Sequence, residues 1–190
     1  MERSGLSYPA KGCPKVAERL EQLLEKNKVP TRRELKRSLD HGTWVLLSIL
    51  FPDASVPVIQ CSIDSESSVE MHYEIGKSIA PLTFENVLII GSGVTVHNLS
   101  KVKWRNRYQS PADEWAVRFD DWLLTNLEQR NLNNLFNYSK KNPNSKLAVP
   151  TPDHFVPLFI AFGAGSDSNP PKLIERFYEW GNVSYLSLEF

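Results

Sequence analysis

Apolar side chains recur at helical spacing in three stretches of this chain and crowd into short β-branched runs in others. Val16, Leu20, Leu23 and Leu24 form an i, i+4, i+7, i+8 stripe behind Pro14, a residue suited to the first position of a helix. The stripe predicts an amphipathic helix from Pro14 to about Lys26. Val56 to Ile63 and Asn86 to Ile90 are short β-branched runs bounded by Pro or Gly, and the helical stretch from about Val69 to Ala80 lies between them. Trp115, Phe119, Trp122 and Leu123 repeat the helical stripe, and Val183 to Leu188 alternates as a closing strand does. This order predicts an α/β fold with a mostly parallel central sheet flanked by helices. At 190 residues the chain suffices for the core of one ordinary domain, so residues 1–190 are read as one. Asn27 to Asp40, Ser100 to Asp113 and Asn142 to Pro150 lack periodicity and are the expected long loops, a class that often carries function.

Composition narrows the classes. With 41% hydrophobic and 23% charged residues the chain is neither disordered nor fibrous. Twenty-two basic residues balance twenty-two acidic ones, so no global field attracts polyanions and nucleic acid is not expected as a partner. The basic and aromatic run Lys101 to Tyr108 and the six basic residues between Lys26 and Arg37 are read as solvated connectors. The densest apolar stretch, Phe155 to Ala164, is about half the length of a membrane helix and contains Pro157 and Gly163. Met1 to Lys11 lacks the apolar segment of a secretion signal. Cys13 and Cys61 are too few for a disulfide framework, which fits a reducing, cytoplasmic setting. The glycosylation-like triplets at Asn98, Asn137 and Asn182 are therefore read as chance.

Of the four histidines, three stand where the chain can aim them. His97 follows the run ending at Ile90 through Gly91-Ser92-Gly93, which places an imidazole beyond the carboxyl end of a predicted strand, where open α/β sheets hold ligands. The glycines permit a sharp turn or a close backbone approach, but they do not form a phosphate loop. His154 lies in Pro150-Thr151-Pro152-Asp153-His154, where Thr151 is the expected N-cap and Pro152 the first residue of a helix running on through Phe155 and Leu158. A helix N-terminus disfavours imidazolium and so favours the neutral form that ligates metals, although a histidine simply hydrogen-bonded at a helix start satisfies the same residues. His41, in Asp40-His41-Gly42-Thr43-Trp44, marks the entry to the apolar run Val45 to Phe51, expected to be a buried element, with Asp40 able to cap a helix. His72 sits within a predicted helix and is assigned a structural role. No His-Glu-x-x-His, Cys-x-x-Cys or Gly-x-Ser-x-Gly signature occurs.

Taken in order, Asp40-His41-Gly42-Thr43-Trp44, Gly91-Ser92-Gly93 with His97-Asn98-Leu99, and Pro150-Thr151-Pro152-Asp153-His154 resemble the LigB-like extradiol dioxygenases, in their DOPA dioxygenase branch. Tyr8-Pro9-Ala10-Lys11-Gly12, Val56 to Ile63, His72-Tyr73-Glu74-Ile75-Gly76 and Phe119-Asp120-Asp121-Trp122-Leu123 carry the same likeness across nearly the whole chain. The resemblance implies a LigB-like domain and a non-haem metal enzyme that opens a catechol ring beside its hydroxyls with O2, using Fe(II) or carrying Zn(II). His154 then matches a metal ligand, and His97 a further ligand or the acid/base beside the metal. His41 matches a histidine that contacts the substrate hydroxyl or moves its proton. These roles suit the chemistry, since a metal lowers a catechol hydroxyl's pKa and a nearby imidazole accepts the released proton.

In the family the resemblance points to, a portion preceding the Tyr-Pro-Ala segment supplies two further metal-binding histidines, whereas no histidine here precedes His41. A site of two or three imidazoles is expected to hold zinc with water completing its shell, and to bind Fe(II) weakly and position O2 poorly. The same difference predicts an exposed sheet edge or apolar patch, and a homo-oligomer that buries it is compatible with the sequence. The second reading is accordingly a non-catalytic module that binds a metal, a ligand or a protein. A metal-assisted hydrolase built on the three histidines has only residue type in its favour, because no motif supplies a carboxylate base.

Overall fold

In the computed structural model, which describes residues 8–105, 107–108 and 110–190, Pro14 opens α1 (Pro14–Lys26) in the N1 position its stripe predicts. The stretch Met1 to Ser7, and with it most of the segment read for a secretion signal, lies outside the described residues. The chain forms two compact units, one ending at Ser62 and one spanning Ile63–Phe190.

In the first unit a polar loop follows α1, held by the Arg33 guanidinium donating to both carboxylate oxygens of Glu21 at 2.7 and 2.5 Å. It leads into α2 (His41–Leu50), whose N-cap Asp40 accepts a hydrogen bond from the Thr43 amide at 3.0 Å. Here the apolar run does not become the buried element its composition suggests. Leu47 is buried, but Ile49 is 75% and Leu50 51% exposed. Consecutive apolar residues on a helix point to different faces, and one layer of neighbours covers only one of them.

The second unit holds the core. Its helices are α3 (Val69–Ile79), α4 (Glu114–Glu128), the short turns α5 (Leu132–Phe136), α6 (Tyr138–Lys141) and α7 (Ser145–Ala148), and α8 (Pro157–Ala164). Ser68 caps α3 through the Met71 amide at 3.1 Å. α3 and α8 pack backbone to backbone: a Cβ on Gly76 would overlap the Ile160 carbonyl oxygen, and one on Gly163 the Tyr73 carbonyl oxygen. Phe119, Leu123 and Leu127 of α4 join Phe155, Phe159 and Phe162 in a fully buried aromatic and aliphatic cluster. The predicted loop Asn142 to Pro150 contains α7, formed where Ala148 and Val149 enter that core.

The sheet differs from the expectation. Among the described residues it has two strands, β1 (Lys172–Glu179) and β2 (Val183–Glu189), paired antiparallel with an irregularity between Leu173 and Glu175. A mostly parallel central sheet is not what they form. Val56 to Ile63 and Asn86 to Ile90 run without strand pairing. β-branched residues favour extended backbone, but a strand exists only where a neighbour completes its hydrogen bonds, and that neighbour is not encoded in the run itself. β1 escapes sequence reading because seven of its eight positions are exposed or half-exposed in a pattern without alternation. The hairpin turns at Trp180, Gly181 and Asn182, where Gly181 takes φ of 87°. The long loop after Ser100 clasps that turn: the Lys103 amide donates to the Trp180 carbonyl at 3.1 Å, and the Asp113 amide to that of Gly181 at 2.7 Å.

Candidate metal centre

Gly91-Ser92-Gly93 makes no turn. It runs against the segment that carries His154, so closely that a Cβ on Gly93 would overlap the His154 carbonyl oxygen and one on Gly91 that of Pro157. The Val94 amide then donates to the His154 carbonyl at 2.9 Å, which fixes one backbone against the other. Three residues further on, the His97 amide donates to Ala148 O at 3.0 Å and His97 forms an isolated antiparallel bridge with Val183. The Asn98 amide donates to Asn182 Oδ1 at 3.1 Å, and Asn98 Nδ2 to the Leu147 carbonyl at 3.0 Å. His97 is thereby held on three sides by backbone, and its ring lies over that of His154 with centroids 4.8 Å apart and planes 14° from parallel.

His154 does not sit in the first turn of a helix. The Phe155 and Val156 amides both donate to the Pro152 carbonyl, forming a turn, and α8 begins at Pro157. Pro157 has no N–H to donate to the carbonyl four residues back, so the helical ladder starts with it rather than at Pro152. In place of a helix N-terminus, His154 has a carboxylate: its Nδ1 lies 2.7 Å from Asp153 Oδ2. A hydrogen bond from Thr151 holds the Asp153 carboxyl below the ordinary carboxylate range, aided by the two histidines. An ionised carboxylate only accepts, so Nδ1 of His154 donates to it, which leaves Nε2 as the nitrogen facing a ligand. Burial, and next the neighbouring His154, push the His97 imidazole below its usual value, which keeps it neutral at physiological pH.

His97, Asp153 and His154 offer ligand atoms that all lie within 4.8 Å of one another. His97 Nδ1 is buried with no hydrogen-bond partner among the described residues. A buried polar atom without a partner is costly unless something binds it, and two imidazoles with one carboxylate are a donor set that suits zinc or ferrous iron. Asp153 and His154 are the more exposed members of the group. The residues present fit a metal.

Sequence reasoning quotes Asp153 within its motif but gives it no role. The only local signal is its position beside a histidine in a proline-bounded turn. His41 stands exposed at the start of α2 in the first unit, outside this group, with Asp40 spent on capping. His72 is buried in α3 with Nδ1 2.8 Å from the Ser68 carbonyl oxygen. Asn98 and Asn182, two of the triplet asparagines, are buried and hydrogen-bonded to one another's segments, with no room for a glycan.

Residues 3–187 match the family model described as the catalytic LigB subunit of aromatic ring-opening dioxygenase. The chain belongs to the LigB family. It is 37% identical over 187 residues to a 4,5-DOPA dioxygenase extradiol of Portulaca grandiflora, covering 97% of this chain and 68% of that protein. A protein of the same description from Escherichia coli K12 is 35% identical, with 96% of this chain and 67% of that protein covered. The chain thus spans about two thirds of the length of these relatives. The crystal structure of an uncharacterized Escherichia coli K12 protein superposes with a TM-score of 0.86 at 35% identity, over 97% of this chain and 75% of that one. Membership makes the LigB chain an oxidoreductase of the extradiol, ring-cleaving type and its fold LigB-like. No described helix is long and apolar enough to cross a membrane.

Proposed function

We propose that this LigB chain is an extradiol dioxygenase of DOPA-like catechols, and that its two units form parts of one LigB-like domain with a metal held at His97 and His154. The observation that carries the reading is the convergence of His97 with Asp153 and His154, the two histidines 57 residues apart in the chain and brought together where glycines admit the backbone contact. Zn(II) or Fe(II) would be held by the imidazoles of His97 and His154. Such an ion supplies Lewis acidity that lowers a catechol hydroxyl's pKa, and ferrous iron in addition supplies the redox capacity for reaction with O2.

The chain's own residues do the rest. Asp153 accepts the Nδ1 proton of His154 and so fixes the tautomer that exposes Nε2. The burial that keeps His97 neutral equips it either to donate a lone pair or to accept the proton of a catechol hydroxyl. By the resemblance of its motif, His41 contacts the substrate hydroxyl or moves its proton. The supporting names are those of the relatives, each described as a 4,5-DOPA dioxygenase extradiol.

The test is anaerobic titration of the purified chain with Fe(II) and Zn(II) by calorimetry, followed by O2 uptake with DOPA and with catechol. One equivalent of metal bound tightly, lost in His97→Ala and in His154→Ala, with O2 consumed only by the wild-type iron form, is the expected result. Uptake no greater than in His154→Ala would overturn the catalytic reading. Metal bound without uptake would favour the alternative of a non-catalytic metal- or ligand-binding module.

A further inference from the structure

Behind the bridge that carries His97, α4 buries a carboxylate. Asp120 is fully buried, yet the metal centre makes no use of it. Its Oδ1 accepts the Thr95 hydroxyl at 2.6 Å, and its Oδ2 accepts those of Ser184 at 2.5 Å and Tyr178 at 2.7 Å. The Arg176 Nε lies 4.0 Å from Oδ2, while Arg176 is itself held by Tyr178, Asp121 and the Val117 carbonyl.

Two of the three donors flank His97. Thr95 stands two residues before it, and Ser184 follows Val183, its bridge partner. Between them the Ser184 amide donates to the Val96 carbonyl at 3.0 Å, a backbone bond that closes the bridge on this side. An isolated bridge lacks the repeated bonds that hold a strand in register, so side chains that span it add to what fixes the two backbones. One carboxylate grips both backbones, an oxygen to each. Charged acceptors make roughly twice the bond of neutral ones, and in a buried setting the preference is stronger. Tyr178 differs from the other two donors: it belongs to β1, whose backbone is already held to β2 by the ladder that pairs Tyr178 with Ser184 and Glu179 with Val183, and it makes no bridge to His97 itself.

We propose that Asp120 is a positioning residue for the metal centre, holding the two backbones that aim His97 through the hydroxyls of Thr95 and Ser184. This rests on the reading of His97 as a metal ligand. It predicts which hydroxyls matter. Removing those of Thr95 and Ser184 frees His97, whereas removing that of Tyr178 leaves it in place.

The experiment titrates the full chain with Co(II), read by its visible absorption, and with Zn(II), read by calorimetry, with urea unfolding of each variant alongside. Thr95→Val combined with Ser184→Ala is expected to weaken metal binding by about 10- to 100-fold and to change the Co(II) spectrum, as loss of groups that orient a ligand does elsewhere. Thr95→Ser, which keeps the hydroxyl, is expected to bind as wild type, and so is Tyr178→Phe even where its urea midpoint falls. Asp120→Asn is expected to weaken binding as the double variant does. Should that variant not fold, the hydroxyl variants decide alone. Equal affinity and spectrum in wild type and the double variant overturn the proposal, and so does a loss in Tyr178→Phe as large as in the double variant. If the wild type itself takes up no metal and His154→Ala changes nothing, the metal reading falls and this inference with it. If the wild type binds and only the variants fail to differ, this inference alone falls.

Discussion

His154 and Asp153 divide between them what one residue cannot do. The imidazole offers a lone pair, and the carboxylate 2.7 Å from Nδ1 decides which nitrogen offers it. Asp153→Asn puts an amide there whose NH2 group competes for the same contact. It is expected to lower zinc affinity by about 10- to 100-fold, read by calorimetry, while leaving the urea midpoint near that of wild type. An unchanged affinity would mean that the pair is a surface contact only. Asp120 makes a second residue-scale prediction. Burial pushes its carboxyl above the ordinary 3.8, against the opposing pull of Ser184, Thr95, Tyr178 and Arg176. The folded chain therefore keeps this proton to higher pH than the unfolded chain does. The group's contribution to stability falls as pH rises from 3.8 through its folded value, and is flat beyond it. Urea midpoints of wild type relative to Asp120→Asn, taken from about pH 4 upward, are expected to decline across that window and then level. A difference that grows with pH would show that the hydroxyls outweigh burial.

At the scale of elements, the metal centre depends on missing side chains as much as on present ones. Gly93 lies where any Cβ would overlap the His154 carbonyl oxygen. Gly93→Ala is expected to force the two segments apart at a cost of about 1–3 kcal/mol, as overpacking does in well-packed interiors, measured by urea unfolding. Its metal affinity is expected to fall at least tenfold, because His154 moves with its backbone while His97 does not. A variant that loses stability but binds metal like wild type would show that the glycine serves packing alone. The same close approach at Gly76 and Gly163 joins α3 to α8 and places no ligand, which makes Gly76→Ala the matching control: destabilised, with zinc affinity retained in the folded fraction.

The whole molecule is unevenly built. The continuous buried cluster lies in the unit from Ile63 to Phe190, while the first unit has Leu23 and Leu47 as its buried described hydrophobic residues. Phe84, just before the run Asn86 to Ile90 that forms no strand, is 92% exposed, and Leu88 within it is 72% exposed. Hydrogen exchange is expected to follow this division, since protection depends on burial and on paired amides. Amides of α4 and of the β1–β2 hairpin should exchange slowest. Those of Asn86 to Ile90, and of the first unit beyond α1 and α2, should exchange orders of magnitude faster. Slow exchange along Asn86 to Ile90 would reveal a partner strand supplied from another copy or another molecule.

Helix existence and much of the site's composition could be read from the sequence. α1 runs from Pro14 to Lys26 as its stripe predicts, and α3 and α4 occupy the stretches predicted for them, because a 3.6-residue period and a capping residue are local properties of the chain. The motifs around His97 and His154 named both imidazoles and the family. Only tertiary structure decided the rest. Whether a β-branched run becomes a strand depends on a neighbour far along the chain, so the expected parallel sheet gave way to one antiparallel hairpin among the described residues. The start of the last helix depended on which proline began the hydrogen-bond ladder, a choice between Pro152 and Pro157 that spacing left open. The roles of Gly93, Asp153 and Asp120 were likewise hidden, since each is defined by a partner that folding alone brings within a few ångströms.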